Sequence, residues 1–164
     1  MRYVFFGTPE LAARILAAVI GAGFAPAALV ANPDRPAGRK QILSPPKTKV
    51  VAQAHGIPVF QPETLDELRP FLEKIAPEFF VVTAYAKIIP LSILRIPPRG
   101  AVGLHPSLLP KYRGTSPIQS AILSGEKETG ITLYLLDEKV DHGPIIASTS
   151  CLIEDQDTYT TLLL

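Results

Sequence analysis

Tyr3-Val-Phe-Phe-Gly-Thr-Pro-Glu10 decides the fold. Four strand-favouring residues follow one another with no charged interruption, as in a strand covered on both faces. The run stops at Gly7-Thr8-Pro9. Thr8 is a good helix N-cap and Pro9 suits the first helical turn, so the spacing predicts a helix over 10–20, halted by Gly21 and Gly23. Residues 27–31 then read as a second buried strand. Strand, crossover helix and strand make a β-α-β unit, the start of a parallel sheet.

Working outward, residues 32–47 carry Pro33, Pro36, Gly38, Pro45 and Pro46 and read as a long loop. A helix is expected over 48–55, ended by Gly56, then a short strand over 57–60 and a helix over 65–75. Residues 79–83 are continuously apolar, another strand buried on both faces. A short helix is expected over 88–94, a strand over 101–104 leading into His105, and a helix over 117–123 stopped by Gly125. Two strands over 131–136 and 145–150 bracket the 137–144 loop as a hairpin, and 158–164 reads as the first turns of a helix. Strands alternating with helices give an α/β class: a Rossmann-like, open, mostly parallel twisted sheet with helices on both faces. One domain is the expectation at 164 residues.

Sixteen Lys and Arg against fifteen Asp and Glu leave a net charge of +1, so no global field attracts nucleic acid. A polyanion contact must come from a local patch, and Asp34-Arg-Pro-Ala-Gly-Arg-Lys40 with Lys47 and Lys49 is the one the chain offers. Cys151 stands alone, which excludes an intrachain disulfide, fits a reducing compartment and reads as a small buried apolar residue. The apolar run from Leu11 to Ile20 contains Arg14 and is too short for a bilayer. A cytoplasmic protein with no membrane contact is expected.

Ligands of open α/β sheets lie beyond the carboxyl ends of the strands. That rule gathers residues 6–10, 83–89, 104–114 and 137–143. His105 and Asp141 stand at two such ends and suit proton transfer. Asp137, Glu138 and Lys139 read as a solvated tip, and His55 and His142 as bystanders. Gly7-Thr8-Pro9 lacks the dinucleotide spacing, Ser107 is in no nucleophile elbow, and paired Cys/His spacing is absent. General acid–base and electrostatic chemistry without a metal remains.

The blocks Phe6-Gly-Thr-Pro-Glu10, Asn32-Pro-Asp-Arg-Pro-Ala-Gly-Arg39, Pro58-Val-Phe-Gln-Pro62, Ala84-Tyr85, His105-Pro-Ser-Leu-Leu-Pro-Lys-Tyr-Arg-Gly114 and 136–143 resemble, in order, the methionyl-tRNA formyltransferases. The resemblance implies the N-terminal catalytic domain of that family. Its implied activity moves a formyl group from 10-formyltetrahydrofolate to the amine of methionine on initiator tRNA. The family's catalytic set is an Asn-x-His pair and a later Asp. His105 and Asp141 match two of these, and Gly103 stands at the Asn position. Losing an oxyanion donor costs about 10²–10³ in rate, so reduced turnover is expected, with a gain on restoring Asn. The resemblance also implies folate contacts at Tyr85, Ala86, Lys87, Ile88, Leu136, Asp137, Val140, His105 and Ser107, and tRNA contacts at Arg35, Arg39, Lys40 and Lys47. An amino-sugar or nucleotide N-formyltransferase, or a folate- or RNA-binding module without turnover, are the alternatives. A monomer is expected.

The family's C-terminal β-barrel domain, which also holds tRNA, is absent from these 164 residues. With a net charge of only +1, this chain is expected to bind initiator tRNA weakly and with steep salt dependence. Filter binding across a salt series checks it, and affinity matching a two-domain enzyme at physiological salt refutes it.

Overall fold

A computed structural model describes residues 1–38 and 41–163, Ala37 by its backbone alone. The chain divides into two compact units, Met1–Ala101 and Val102–Leu164.

The first unit holds β1 (Tyr3–Phe6), α1 (Glu10–Gly21), β2 (Ala28–Val30), β3 (Arg35–Ala37), β4 (Ile42–Ser44), α2 (Lys47–Ala54), β5 (Val59–Phe60), a 3₁₀ turn (Leu65–Leu68) running into α3 (Arg69–Ile75), β6 (Phe79–Thr83) and α4 (Leu91–Leu94). Its sheet order is β5-β2-β1-β6, every pair parallel. Alternate residues of β1 serve opposite faces. Tyr3 and Phe5 join Leu29, Ala12 and Leu16 of α1, Ala52 of α2 and Ile57 in one core cluster. Val4 and Phe6, pointing the other way, are equally inaccessible. On that side Phe71 of α3 packs on Phe60 of β5, ring centroids 4.8 Å apart. Helices therefore cover both faces, which is why these strands carry continuous apolar runs instead of alternating ones.

The turn from β1 into α1 needs glycine. A Cβ at Gly7 would lie 2.7 Å from Ala12 Cβ, 2.8 Å from the Thr83 carbonyl and 2.9 Å from Phe5 Cε1. Gly7 N–H donates to the Val30 carbonyl at 3.1 Å, and its own carbonyl accepts from Thr48 Oγ1 at 3.0 Å. Thr8 does not cap α1 as expected. Its hydroxyl accepts the Asn32 N–H at 3.2 Å, and Pro9, with no side-chain donor or acceptor, takes the cap position.

Residues 32–47 differ most from expectation. They are not a plain loop: β3 and β4 pair antiparallel, with Arg35 opposite Ser44 and Ala37 opposite Ile42. Proline misleads here because each strand of a two-stranded ribbon has a free edge, where Pro36 needs no N–H. Asp34 anchors the ribbon's base. Its two oxygens accept from Lys49 Nζ at 2.9 Å each, and Gln61 Nε2 donates to Oδ1 at 2.7 Å and to the Asn32 carbonyl at 2.8 Å. The Lys49 and Gln61 hydrogen bonds hold the Asp34 carboxyl below the usual carboxylate range. The helix expected from residue 88 starts only at Leu91, after Pro90, whose fixed φ suits a helix entry.

The second unit carries β7 (Ala101–His105), α5 (Pro117–Leu123), β8 (Glu128–Leu135), β9 (Ile145–Leu152) and α6 (Tyr159–Leu162), with β7-β8-β9 antiparallel. The expected hairpin is there, with both strands longer than read. Cys151 corrects the expectation of burial: it is exposed, as is every residue of the edge strand β9. Small apolar character permits burial but does not impose it. Among the described residues no helix is long and apolar enough to cross a membrane.

Because its pKa is lowered, Asp34 stabilises the ribbon's base above the unfolded value of 3.8, and the contribution is lost as pH falls through the lower folded value. Amide exchange of β3 and β4 should therefore accelerate, relative to β1 and β2, on going from about pH 5 to about pH 3. Asp34→Asn should show the same loosening at neutral pH, and a ribbon equally protected in both refutes the anchor.

Candidate active site

β7 ends on His105, which is 6% exposed. Across the ladder it faces Thr132 of β8, which is fully buried. Thr132 Oγ1 donates to the Ser107 carbonyl at 2.7 Å and accepts the Leu109 N–H at 3.1 Å. Ser107 is also inaccessible, and its hydroxyl donates to the Lys111 carbonyl at 2.6 Å. Three bonds thus brace the loop after β7, and they use up Ser107, expected from the resemblance to meet folate. Beyond them Tyr112 sits at φ 55°, a strained value for a bulky residue, with its carbonyl 2.8 Å from His105 Nε2. A carbonyl only accepts, so Nε2 carries hydrogen. Nδ1 faces Asp141 Oδ2 at 3.4 Å, longer than a hydrogen bond, and it donates to that carboxylate only when both ring nitrogens carry hydrogen.

Asp141 is the better-held partner. It adopts φ 47°, and its side chain is 14% exposed. Oδ2 accepts the Gly114 N–H at 2.9 Å, and Oδ1 accepts the Tyr134 hydroxyl at 2.6 Å. The expected meeting of loops 104–114 and 137–143 is made by this carboxylate. Burial drives the Tyr134 hydroxyl far above the ordinary tyrosine pKa, and its hydrogen bond to Asp141 adds to the shift. The phenol therefore stays protonated and donating.

Tyr134 is the site residue that sequence reasoning missed. It stands opposite Gly103 in the β7–β8 register. A Cβ at Gly103 would overlap Cε1 and Cζ of the Tyr134 ring and come within 2.7 Å of Leu136 Cδ1. The place where the resemblance expects an asparagine is filled by a ring from the neighbouring strand. Restoring Asn at 103, expected above to raise turnover, requires the Tyr134 ring to shift. The available signal was a glycine inside a strand, which marks close approach by another group, but only the register identifies that group.

Asp137 is bound locally: Oδ2 pairs with His142 Nδ1 at 2.8 Å and Oδ1 accepts the Lys139 N–H at 2.8 Å. The His142 bond first, then the Lys139 amide, hold its carboxyl below the usual range. His142, expected as a bystander, is its partner. Leu136 is partly buried and Val140 is 61% exposed.

In the first unit, residues 6–10 and 83–89 meet as expected, Gly7 against the Thr83 carbonyl and Phe6 edge-on to Tyr85 at 5.6 Å. Among the described residues the buried Tyr85 hydroxyl has no partner, and burial pushes its pKa up to about 12. Lys87 Nζ donates to the Pro62 and Glu63 carbonyls at 2.8 and 2.7 Å. Ala86 is exposed and Ile88 is 83% exposed. Arg35 and Lys47 are exposed, Lys49 is committed to Asp34, and Arg39 and Lys40 lie outside the described residues.

A hollow of about 250 Å³ lies among Leu108, Pro110, Lys111, Tyr112, Glu126 and Thr129, but neither His105 nor Asp141 lines it. Among the described residues no three His, Cys, Asp or Glu side chains group to hold a metal ion.

Residues 1–163 match the formyl transferase family model. The chain belongs to the formyl transferase family. The methionyl-tRNA formyltransferase of Methylococcus capsulatus is 46% identical over 164 residues, 99% of this chain and 53% of that protein. Its counterpart from Chloroflexus aggregans is 48% identical over 149 residues, 90% of this chain and 48% of that protein. The chain thus spans about half the length of the curated relatives it matches. Among solved structures, a phosphoribosylglycinamide formyltransferase from Bacillus halodurans superposes with a TM-score of 0.79 at 26% identity, over 99% of this chain and 85% of that one. The expected fold class, a mostly parallel Rossmann-like α/β sheet with helices, is the formyltransferase fold.

Gly103→Asn should destabilise the protein by about 1–3 kcal/mol, the usual cost of overfilling a packed site. Urea denaturation measures it, and an unchanged midpoint would mean that the Tyr134 ring moves aside freely.

Proposed function

We propose that this formyl transferase carries a formyl group from 10-formyltetrahydrofolate to the amino group of methionine on initiator tRNA, at the start of translation. The observation that carries this reading is the approach of His105 Nδ1 to a fixed Asp141 carboxylate at 3.4 Å. The acceptor is inferred from relatives named methionyl-tRNA formyltransferase at 46–48% identity, against 26% for the glycinamide-ribonucleotide enzyme.

The formyl donor supplies an electrophilic carbon already activated for transfer. The protein has to stabilise negative charge on the formyl oxygen and move one proton from the attacking amine to the departing nitrogen, with no net proton change. Asp141 faces Nδ1 of His105 at 3.4 Å, receives the proton of the attacking amine and passes it on to the departing nitrogen. His105 Nε2–H, now given to the Tyr112 carbonyl, is the donor for the developing charge once it exchanges that carbonyl for the formyl oxygen.

The pterin contacts are proposed unit by unit. In the first, Ala86 and Ile88 are exposed and the Tyr85 hydroxyl is buried and, among the described residues, unpartnered. In the second, Val140 is exposed and Leu136 partly buried. Asp137 is tied within its own loop and Lys87 to the Pro62 and Glu63 carbonyls, so their part is to fix backbone shape. Arg35 and Lys47, with Arg39 and Lys40, meet tRNA phosphates. The protein works as a cytoplasmic monomer.

His105→Ala should lower formyl transfer to methionyl initiator tRNA by about 10²–10⁴-fold, on the scale of a lost general acid–base group. Far-ultraviolet dichroism and melting should stay near the parent's. Full activity in the folded variant refutes the assignment.

A further inference from the structure

We propose that Tyr134 is a positioning residue of the reaction: its hydroxyl locks the Asp141 carboxylate toward His105, and Gly103 is small in order to admit its ring. The inference rests on the His105–Asp141 reading above and adds a third side chain to it.

A carboxylate on a loop rotates about its last torsion unless both oxygens are held. Here both are. Oδ2 takes the Gly114 amide at 2.9 Å, and Oδ1 takes the Tyr134 hydroxyl at 2.6 Å. The second bond is the shorter, as expected for a hydroxyl donating to an anion. Remove it, and Oδ1 is left without a protein donor in a side chain only 14% exposed. The carboxylate then gains freedom to turn Oδ2 away from Nδ1, and the His105–Asp141 geometry is no longer fixed.

The ring reaches this spot only because residue 103 has no side chain. Tyr134 is 6% exposed and lies on the inner face of β8, directly opposite Gly103. Any Cβ there meets Cε1 and Cζ, the part of the ring that carries the hydroxyl. The same Cβ would also come within 2.7 Å of Leu136 Cδ1, so the space over Gly103 is filled by two side chains. A tyrosine placed only to fill space would gain nothing from a hydroxyl pointed at a carboxylate. Burial and the neighbouring Asp141 also keep this phenol protonated across the working pH range.

The test compares Tyr134→Phe, Asp141→Asn, the double variant and His105→Ala by steady-state formyl transfer, with melting temperature as the check on folding. Phe keeps the ring and removes only the hydroxyl. Tyr134→Phe should lower kcat by about 10–100-fold, the worth of a hydrogen bond to a charged group, with KM for folate and tRNA within about twofold. In the Asp141→Asn background the same change should have little further effect, because the hydroxyl acts through that carboxylate. Melting of Gly103→Ala should fall, and Tyr134→Leu should restore it in the double variant by vacating the ring's space.

An unchanged kcat in Tyr134→Phe, with His105→Ala inactive, overturns the role of Tyr134 and leaves the His105–Asp141 reading standing. Equal losses in the parent and in the Asp141→Asn background overturn it too, since Tyr134 would then act by another route. A fully active His105→Ala removes the reading beneath the proposal and the proposal with it.

Discussion

The second unit is organised around the Asp141 carboxylate. Three otherwise separate pieces of chain converge on it: the end of β7 through His105, the loop after β7 through the Gly114 amide, and β8 through Tyr134. A largely buried carboxylate is tolerable when donors surround it, and here two donors hold it beside an imidazole. Asp141 holds a left-handed backbone at φ 47° to reach this position. Strain of that kind persists where the surroundings over-determine it, and it gathers where chemistry is done. Thr132 and Ser107 act one step further out. By tying the 107–111 backbone to β8 and to itself, they aim the strained Tyr112 carbonyl at the other ring nitrogen of His105.

The first unit depends on a different constraint, the tight crossing at Gly7. The chain passes so close to Ala12, Phe5 and the Thr83 carbonyl that only hydrogen fits on the α-carbon. Thr48, fully buried at the start of α2, donates to the Gly7 carbonyl and ties that helix to the turn. The same end of the unit carries the Asp34–Lys49–Gln61 cluster, which sets the base of the β3–β4 ribbon.

Much of this was legible in the residues. Strands β1 and β6 and helix α5 lie where their apolar runs, prolines and glycines put them, and the other elements are shifted by a few residues or, in the case of 65–75, divided between a 3₁₀ turn and a helix. His105 and Asp141 were legible because strand ends collect functional groups in α/β sheets, and the fold brings the two together. The β3–β4 ribbon was hidden by its prolines, which carry the same local signal in a free-edged strand as in a loop. The exposure of Cys151 and the rest of β9 was hidden because apolar content reports what a strand tolerates on its faces, not what lies against them.

The sequence by itself determined the class of fold and the family, since each rests on local pattern or on ordered motifs along the chain. Tertiary structure alone decided what Gly103 is for. From the chain it is a missing side chain, two residues before His105. In the fold it is the space that a ring 31 positions later occupies, by the ladder that sets Gly103 against Tyr134. Strand register couples residues with no sequence relation to one another, and a one-residue slip would turn that ring to the opposite face, away from Asp141.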